Sequence, residues 1–403
     1  MPKTIATTPS WYWPEGVPRV LGIPPYSLDE LLVERWAHEE GDRPILVSGT
    51  TRMSPAELAS EVRAASAEVA RQVELGSAAT LYAGPTVQGV VLVLGALASG
   101  RQVLLREAAA GEPERLGEPV APAGLGEPGT VRARAANGAG AGPGSIREPA
   151  ACLAGRFGLA WHSQRSLLAS AIALQGFLGT GIRRGGTWLS TFSPCTWEGL
   201  SALGTALLGG NTLVLSSPGE ASREALSAEK PTWLFGSFDD AVATWAGGAK
   251  RRRSEEPPVR AALLSVDGPF DPDQRRAVTS SLGTALTVFG TAETGPLLAS
   301  HPSWYLDESI GIPLPNMHVV PAEPDTAEPI TTLWELVDHA MVTAWSPSLM
   351  LGYAAGGAAL RSAGQHSTGG HSTGGHFTGR RFVTGVLAAS DPNGMLYLLD
   401  DQA

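Results

Sequence analysis

From about residue 45 to about residue 300, short apolar runs alternate with longer stretches that carry helical signals. Strand and helix signals alternate on either side of residues 107–149. The mostly apolar run 87–100 (VQGVVLVLGALASG) reads as a buried helix. Ser54-Pro55-Ala56-Glu57 is a helix start, with Ser54 as N-cap, Pro55 at the first helical position and Glu57 completing a capping box. This alternation predicts an α/β fold of two doubly wound lobes, over residues 1–170 and 171–300. Residues 107–149 are rich in Ala, Gly and Pro and read as a long irregular connection within the first lobe. From about Ser300 the alternation lapses and Pro-rich breaks separate short strand candidates such as 331–337, so a small β-barrel-like subdomain is expected over 301–403.

Within that pattern, residues 282–288 (LGTALTV) form another β-rich run, which Phe289-Gly290 is expected to end in a turn. The turn would present Thr291, Glu293 and Thr294 at the carboxyl end of a strand, the edge where open α/β sheets bind ligands. Taken alone, residues 289–296 also read as a Gly-punctuated surface loop.

Composition narrows the class. The chain has 403 residues, 43% hydrophobic and 17% charged, with a mean hydropathy of +0.02, as expected for a globular protein of more than one lobe. A formal net charge of -10 argues against a nucleic-acid partner, because phosphate binding relies on a basic surface. Lys250-Arg251-Arg252-Arg253 is followed closely by Glu255-Glu256 and reads as a solvated loop. No run has the apolar length of a membrane helix and the start lacks a signal-peptide pattern, so no membrane association is expected and cytoplasm is the default. Cys152 and Cys195 lack metal-ligand spacing and read as structural thiols. His366, His371 and His376 recur every five residues within 364–379. That spacing suits neither one helical face nor a compact metal motif, so the tract reads as a flexible low-complexity loop and no metal site is expected.

A collinear series of segments carries a more specific signal. Tyr12 to Arg19, Ser27 to Leu32, Asp42 to Leu46, Ser54 to Ala59, Gln164 to Ala169, Thr187 to Pro194, Leu207 to Leu215, Pro231 to Gly236, Leu264 to Pro269, Phe289 to Pro296, Ile310 to Pro315, Leu349 to Tyr353, Phe382 to Gly385 and Met395 to Asp401 occur in the order of motifs in one family. The chain resembles the acyl-adenylate-forming superfamily, the acyl-CoA synthetases and their relatives, over nearly its whole length. The resemblance implies the large domain of such enzymes. The family's hinge and small lid domain, with the lysine that promotes adenylation, are expected to be absent, since the chain stops at Ala403.

The resemblance also marks departures. It implies an ATP-phosphate loop rich in Ser, Thr and Gly that ends in Pro-Lys-Gly, whereas residues 151–159 read ACLAGRFGL. Counting back from Gln164, only Gly155 matches, and Gly158 occupies the lysine position. Where the family has Thr-Glu, with the Thr on phosphate and the Glu helping to hold Mg²⁺, this chain has Ala292-Glu293. Where the family grips the ribose with Thr-Gly-Asp, it has Thr384-Gly385-Val386. Losing one preorganised donor typically costs roughly 10²–10³ in rate, so the pattern argues against ATP/Mg²⁺ as cofactor.

The acyl side keeps more of its pattern. The resemblance places Thr196 where many relatives carry an aromatic or His residue, followed by Trp197, Glu198 and Gly199. Phe192, Cys195, Trp197 and Gly268 are candidate pocket walls, with Phe289, Gly290 and Thr291 beyond them, and apolar walls suit an acyl or aryl ligand. For each residue singly, core packing is the competing reading. Cys195 is a candidate nucleophile if a base lowers its pKa, with Glu198 and His162 as conceivable partners. Three function classes follow. One is transfer, condensation or cyclisation of an acyl group already activated as a CoA or phosphopantetheine thioester, with an acyl or peptidyl carrier protein as partner and a specialised-metabolite pathway as setting. The second is a non-catalytic acyl- or partner-binding pseudoenzyme. The third is a residual ligase that borrows a lid from another chain.

Overall fold

The computed structural model describes residues 13–38, 43–74, 77–109, 112–120, 149–155, 158–179, 185–246, 257–330, 337–353, 376–378, 381–391 and 395–400. The basic run at 250–253, most of the 107–149 connection and residues 364–375 of the histidine tract lie outside them.

Helix α1 (Leu28–Leu32) opens with a Ser27/Glu30 capping box, and strands β1 (Leu46–Ser48) and β2 (Thr51–Met53) follow. Helix α2 (Pro55–Gln72) begins as its sequence predicts: the Ser54 hydroxyl accepts from the Glu57 amide, and the Glu57 side chain accepts from the Ser54 amide. Next come β3 (Ala78–Ala83), α3 (Val87–Ala98), β4 (Gln102–Glu107), β5 (Arg115–Val120), β6 (Pro149–Gly155), β7 (Gly158–Ser163) and α4 (Gln164–Leu178). Helix α3 buries Val90, Val91, Val93, Leu94 and Leu97, as its nearly continuous apolar run requires. The second series is β8 (Thr187–Ser190), α5 (Trp197–Leu208), β9 (Thr212–Leu215), α6 (Glu220–Glu229), β10 (Trp233–Ser237), the short α7 (Phe238–Ala241), β11 (Ala261–Ser265), α8 (Pro272–Ser281), β12 (Thr284–Thr291) and β13 (Gly295–Ala299). The remainder is β14 (Ile312–Pro313), β15 (His318–Ala322), β16 (Val337–Trp345), β17 (Gly352–Tyr353), β18 (His376–Thr378), β19 (Arg381–Ser390) and β20 (Leu396–Leu398).

These strands form three sheets. A nine-stranded sheet has the order β14-β13-β12-β11-β10-β8-β9-β1-β2, and a six-stranded sheet has the order β17-β7-β6-β4-β3-β5. Strands β15, β16, β19, β18 and β20 make an antiparallel third. Parallel pairing through the middle of the first two sheets is the two-lobed α/β design expected from the sequence. The boundaries at 170 and 300 are not spatial, however. Strand β1 pairs with β9, β14 joins the larger sheet through β13, and β17 joins the six-stranded sheet through β7. Residues 115–120, expected in an irregular connection, form strand β5 against β3.

The sequence pattern does not mark Arg275, yet its side chain is 1% exposed in α8. Its Nε donates to the Ala285 carbonyl at 2.9 Å. Nη1 donates to the carbonyls of Leu306 and Asp307, each at 3.0 Å, and Nη2 to the Ser300 hydroxyl at 3.0 Å. The guanidinium also lies 4.4 Å from the Tyr305 ring centroid. Burial lowers its pKa to about 10, so it remains a cation at neutral pH and its fork binds the 304–309 loop to the sheet. Arg275→Met is expected to destabilise the protein by about 3 kcal/mol in chemical denaturation, because it strands buried acceptors. Arg276→Met, which removes a surface cation paired with Asp273 and Asp307, is expected to leave the midpoint nearly unchanged.

Candidate functional site

Strand β12 does not end at Phe289-Gly290. It runs through to Thr291 across a register shift between those two residues. Gly290 makes this possible, since a Cβ there would overlap the Gly295 carbonyl. The connection is therefore Ala292-Glu293-Thr294, and donors from other elements hold its three carbonyls in turn. His162 Nε2 lies 2.6 Å from the Ala292 oxygen, the Met350 amide donates to the Glu293 oxygen at 2.7 Å, and the Ser348 hydroxyl donates to the Thr294 oxygen at 2.7 Å. Thr291 and Thr294 close the turn internally: the Thr291 amide donates to Thr294 Oγ1 at 3.0 Å.

The segment that the resemblance aligns with a phosphate loop is the end of a β-hairpin. Strands β6 and β7 pair as far as Gly155↔Gly158, and Gly158, at φ +151, lies against the Tyr353 ring. A Cβ at Gly155 would overlap the Glu293 carboxyl group. Glu293 is 1% exposed, and its Oε1 accepts a hydrogen bond from the Tyr353 hydroxyl at 3.2 Å. Burial and this neighbouring carboxyl group push the Tyr353 phenol well above its usual range, so it is a donor at all ordinary pH. Ala292 is 6% exposed and Val386 4% exposed. Val386 follows a bulge in β19 at Gly385, where φ is +71.

His162 is not a partner of Cys195. A carbonyl only accepts, so its bond to Ala292 fixes the proton on Nε2, and the Ser166 hydroxyl faces Nδ1 at 3.3 Å. Burial lowers the imidazole pKa to about 4. The Cys195 thiol instead meets the Ser193 side chain and the backbones of Ala83 and Arg106. Burial pushes its pKa up to about 12, the opposite of nucleophile activation. Cys152 is likewise pushed up to about 12.

The other candidate pocket residues divide. Thr196 is the N-cap of α5, its hydroxyl accepting from the Gly199 amide at 3.1 Å. Gly199 is set by packing, since a Cβ there would overlap the Ser193 carbonyl. Phe289 is core at 1% exposure, and Phe192 packs edge-on against Phe235 at 5.4 Å. Trp197 borders a small cavity with His162, Ser170, Ser201 and Ala292, where the centre of a water molecule has only about 10 Å³. That is at the lower edge of room for one water. Gly268 faces open space, with nothing within 4 Å of its would-be Cβ. Burial, with smaller contributions from the negative charges of Asp267 and Glu107, raises the Glu198 carboxyl pKa to about 7. Among the described residues, no group of three or more His, Cys, Asp or Glu is placed to hold a metal ion, and no helix is long and apolar enough to cross a membrane. Tyr353, Ser348 and Met350 lie in a segment whose sequence marks family order only, and no local pattern assigns them a role.

Solved structures share this fold. The chain aligns with a benzoate CoA ligase from Burkholderia xenovorans LB400 at TM-score 0.69 and 14% identity, covering 93% of this chain and 79% of that one. The amide bond synthetase McbA from Marinactinospora thermotolerans aligns at TM-score 0.66 and 19% identity, covering 92% and 78%. A long-chain-fatty-acid-CoA ligase from Archaeoglobus fulgidus aligns at TM-score 0.70 and 13% identity, covering 96% and 86%. No protein-family model and no curated protein sequence matches the chain. The fold is that of the large domain of acyl-CoA synthetase-like, adenylate-forming proteins.

Two predictions follow from the turn. His162 has a folded pKa of about 4 against an ordinary 6.5, so its contribution to stability is fully present above pH 6.5 and is lost as pH falls toward 4. It amounts to roughly 3 kcal/mol. His162→Gln should flatten that part of the stability–pH curve, with His301, also lowered to about 4, leaving a residual slope. Gly155→Ala should destabilise the fold by about 1–3 kcal/mol by displacing the Glu293 carboxyl group. In a double-mutant cycle with Glu293→Ala the two effects should be non-additive by about 1 kcal/mol or more.

Proposed function

We propose that this chain is a non-adenylating protein of the acyl-CoA synthetase fold. On this reading it holds an acyl or aryl group, presented as a CoA or carrier-protein thioester, without ATP-dependent activation. The observation that carries it is the Glu293 side chain. Its carboxyl group fills the notch at Gly155 and bonds to Tyr353, where a metal-holding role needs open coordination positions and water. Ala292 and Val386 add apolar groups where the resemblance implies a phosphate donor and a ribose acceptor. The aryl and acyl ligand classes are supported by the likeness to a benzoate CoA ligase and a long-chain-fatty-acid-CoA ligase.

Holding is better supported than turnover. A covalent route to transfer, condensation or cyclisation through Cys195 needs a thiolate, and this thiol is kept neutral by burial.

Calorimetric titration tests the reading. ATP with Mg²⁺ at millimolar concentration should give no binding heat and no pyrophosphate exchange, whereas acyl or aryl thioesters should bind without being consumed. Tight Mg²⁺-dependent ATP binding, or exchange on addition of a separate lid-bearing chain, would overturn it.

A further inference from the structure

Two large apolar side chains that stand exposed, Val20 and Trp345, lie at one corner of the antiparallel sheet. Val20 is 78% exposed and Trp345 42%. The segment that carries Val20 is pinned on both sides of it. Asn316, in the left-handed region at φ +66, donates its amide to the Arg19 carbonyl at 2.9 Å. Its side chain accepts from the Leu21 amide and donates to the Leu21 carbonyl, each at 2.9 Å. The Leu21 side chain fills the notch at Gly176, where a Cβ would overlap it. Val20 is thus held out on a fixed backbone, so contact with another surface costs little ordering.

Asn316 stands just before the start of β15 at His318. His318 pairs with Trp345, and the two ring centroids are 5.3 Å apart. Ala344 pairs with Phe382, which clusters with Ala160 and Met350 in the core. Trp345 and Arg381 therefore lie side by side at the next step of the ladder, on the opposite face. Arg381 is half-buried, and its Nη1 has no hydrogen-bond partner. Arg19 is exposed beside Val20, its guanidinium 4.8 Å from the Trp13 ring centroid. The corner thus joins two apolar side chains to two guanidinium cations on a chain of formal net charge -10. An acidic partner is repelled by the chain as a whole and drawn to such a patch.

Trp345 also leads to the turn at 292–294. Ser346 follows it, the Ser346 and Ser348 hydroxyls are 2.6 Å apart, and the Ser348 hydroxyl donates to the Thr294 carbonyl at 2.7 Å. The chain from Trp345 to Ser348 spans at most about 10 Å, within reach of an extended phosphopantetheine arm. We propose that this corner is the docking surface for an acidic carrier protein, with Val20 and Trp345 as its apolar contacts and Arg19 and Arg381 pairing with the partner's carboxylates. The proposal rests on the thioester-binding reading and names the partner that presents the thioester.

Two benzoyl thioesters test it: benzoyl-pantetheine, and the benzoylated phosphopantetheinyl form of an acidic acyl carrier protein. In calorimetry at about 50 mM NaCl the carrier-bound thioester should bind roughly tenfold or more tightly, and that advantage should shrink at about 500 mM. Arg19→Glu combined with Arg381→Glu should remove the advantage while leaving the affinity for benzoyl-pantetheine unchanged. Val20→Asp, at a position exposed enough to spare the fold, should weaken carrier binding several-fold and serves if the charge-reversed variant does not fold. Equal binding of the two thioesters, or an advantage that survives these substitutions, would overturn the docking surface and leave the thioester-binding reading intact. Failure of both thioesters to bind would overturn both.

Discussion

The carbonyl oxygens of Ala292, Glu293 and Thr294 fall outside the β12–β13 ladder and must find donors elsewhere, since a buried acceptor left without one costs about 1–3 kcal/mol. The donors come from three places: His162 at the end of β7, the Met350 amide, and the Ser348 hydroxyl. The six-stranded sheet, the nine-stranded sheet and the segment between β16 and β17 therefore meet at one turn. The tautomer of His162, the position of β17 and the depth of Glu293 follow from that meeting. Because burial holds His162 neutral, the junction is also a point at which acid acts on the fold.

Where local chemistry settles a conformation, the sequence shows it. Ser54 and Glu57 form their capping box, residues 87–98 form a buried helix, and the strands at 187–190 and 212–215 fall within the segments 187–194 and 207–215. Long-range register is harder to read. Phe289-Gly290 has the local signature of a turn, but the ladder to β13 continues because Gly290 tolerates the Gly295 backbone. Gly268 faces open space, whereas Gly199 is set by the nearby Ser193 carbonyl. Both are single glycines in sequence, and only the chain that approaches them tells them apart. Arg275 and Tyr353 gave no signal for the same reason, since their partners lie in loops distant in sequence.

Burial sorts the titratable groups more sharply than proximity in sequence does. Cys195, Glu198 and His162 all lie near the site, but desolvation moves each toward its neutral form: the thiol to about 12, the carboxyl to about 7 and the imidazole to about 4. A nucleophile and its base need the thiolate and an accepting imidazole nitrogen within reach of one another. Here the imidazole is committed to a carbonyl, and the thiol to the Ser193 loop. Of the three, only Glu198 titrates near neutrality.

Glu293 shows how closely a motif residue can be tied into the packing around it. A carboxylate that holds a divalent ion needs coordination sites facing water or phosphate. At the same position here, the notch left by Gly155 receives the carboxyl group and the Tyr353 hydroxyl bonds to it. A shorter side chain would leave a void beside Gly155, and an apolar one would remove the acceptor facing a buried phenol. Packing against Gly155 and the buried phenol thus make their own demand for a glutamate at 293, and the motif at 292–294 forms a packed joint in the fold.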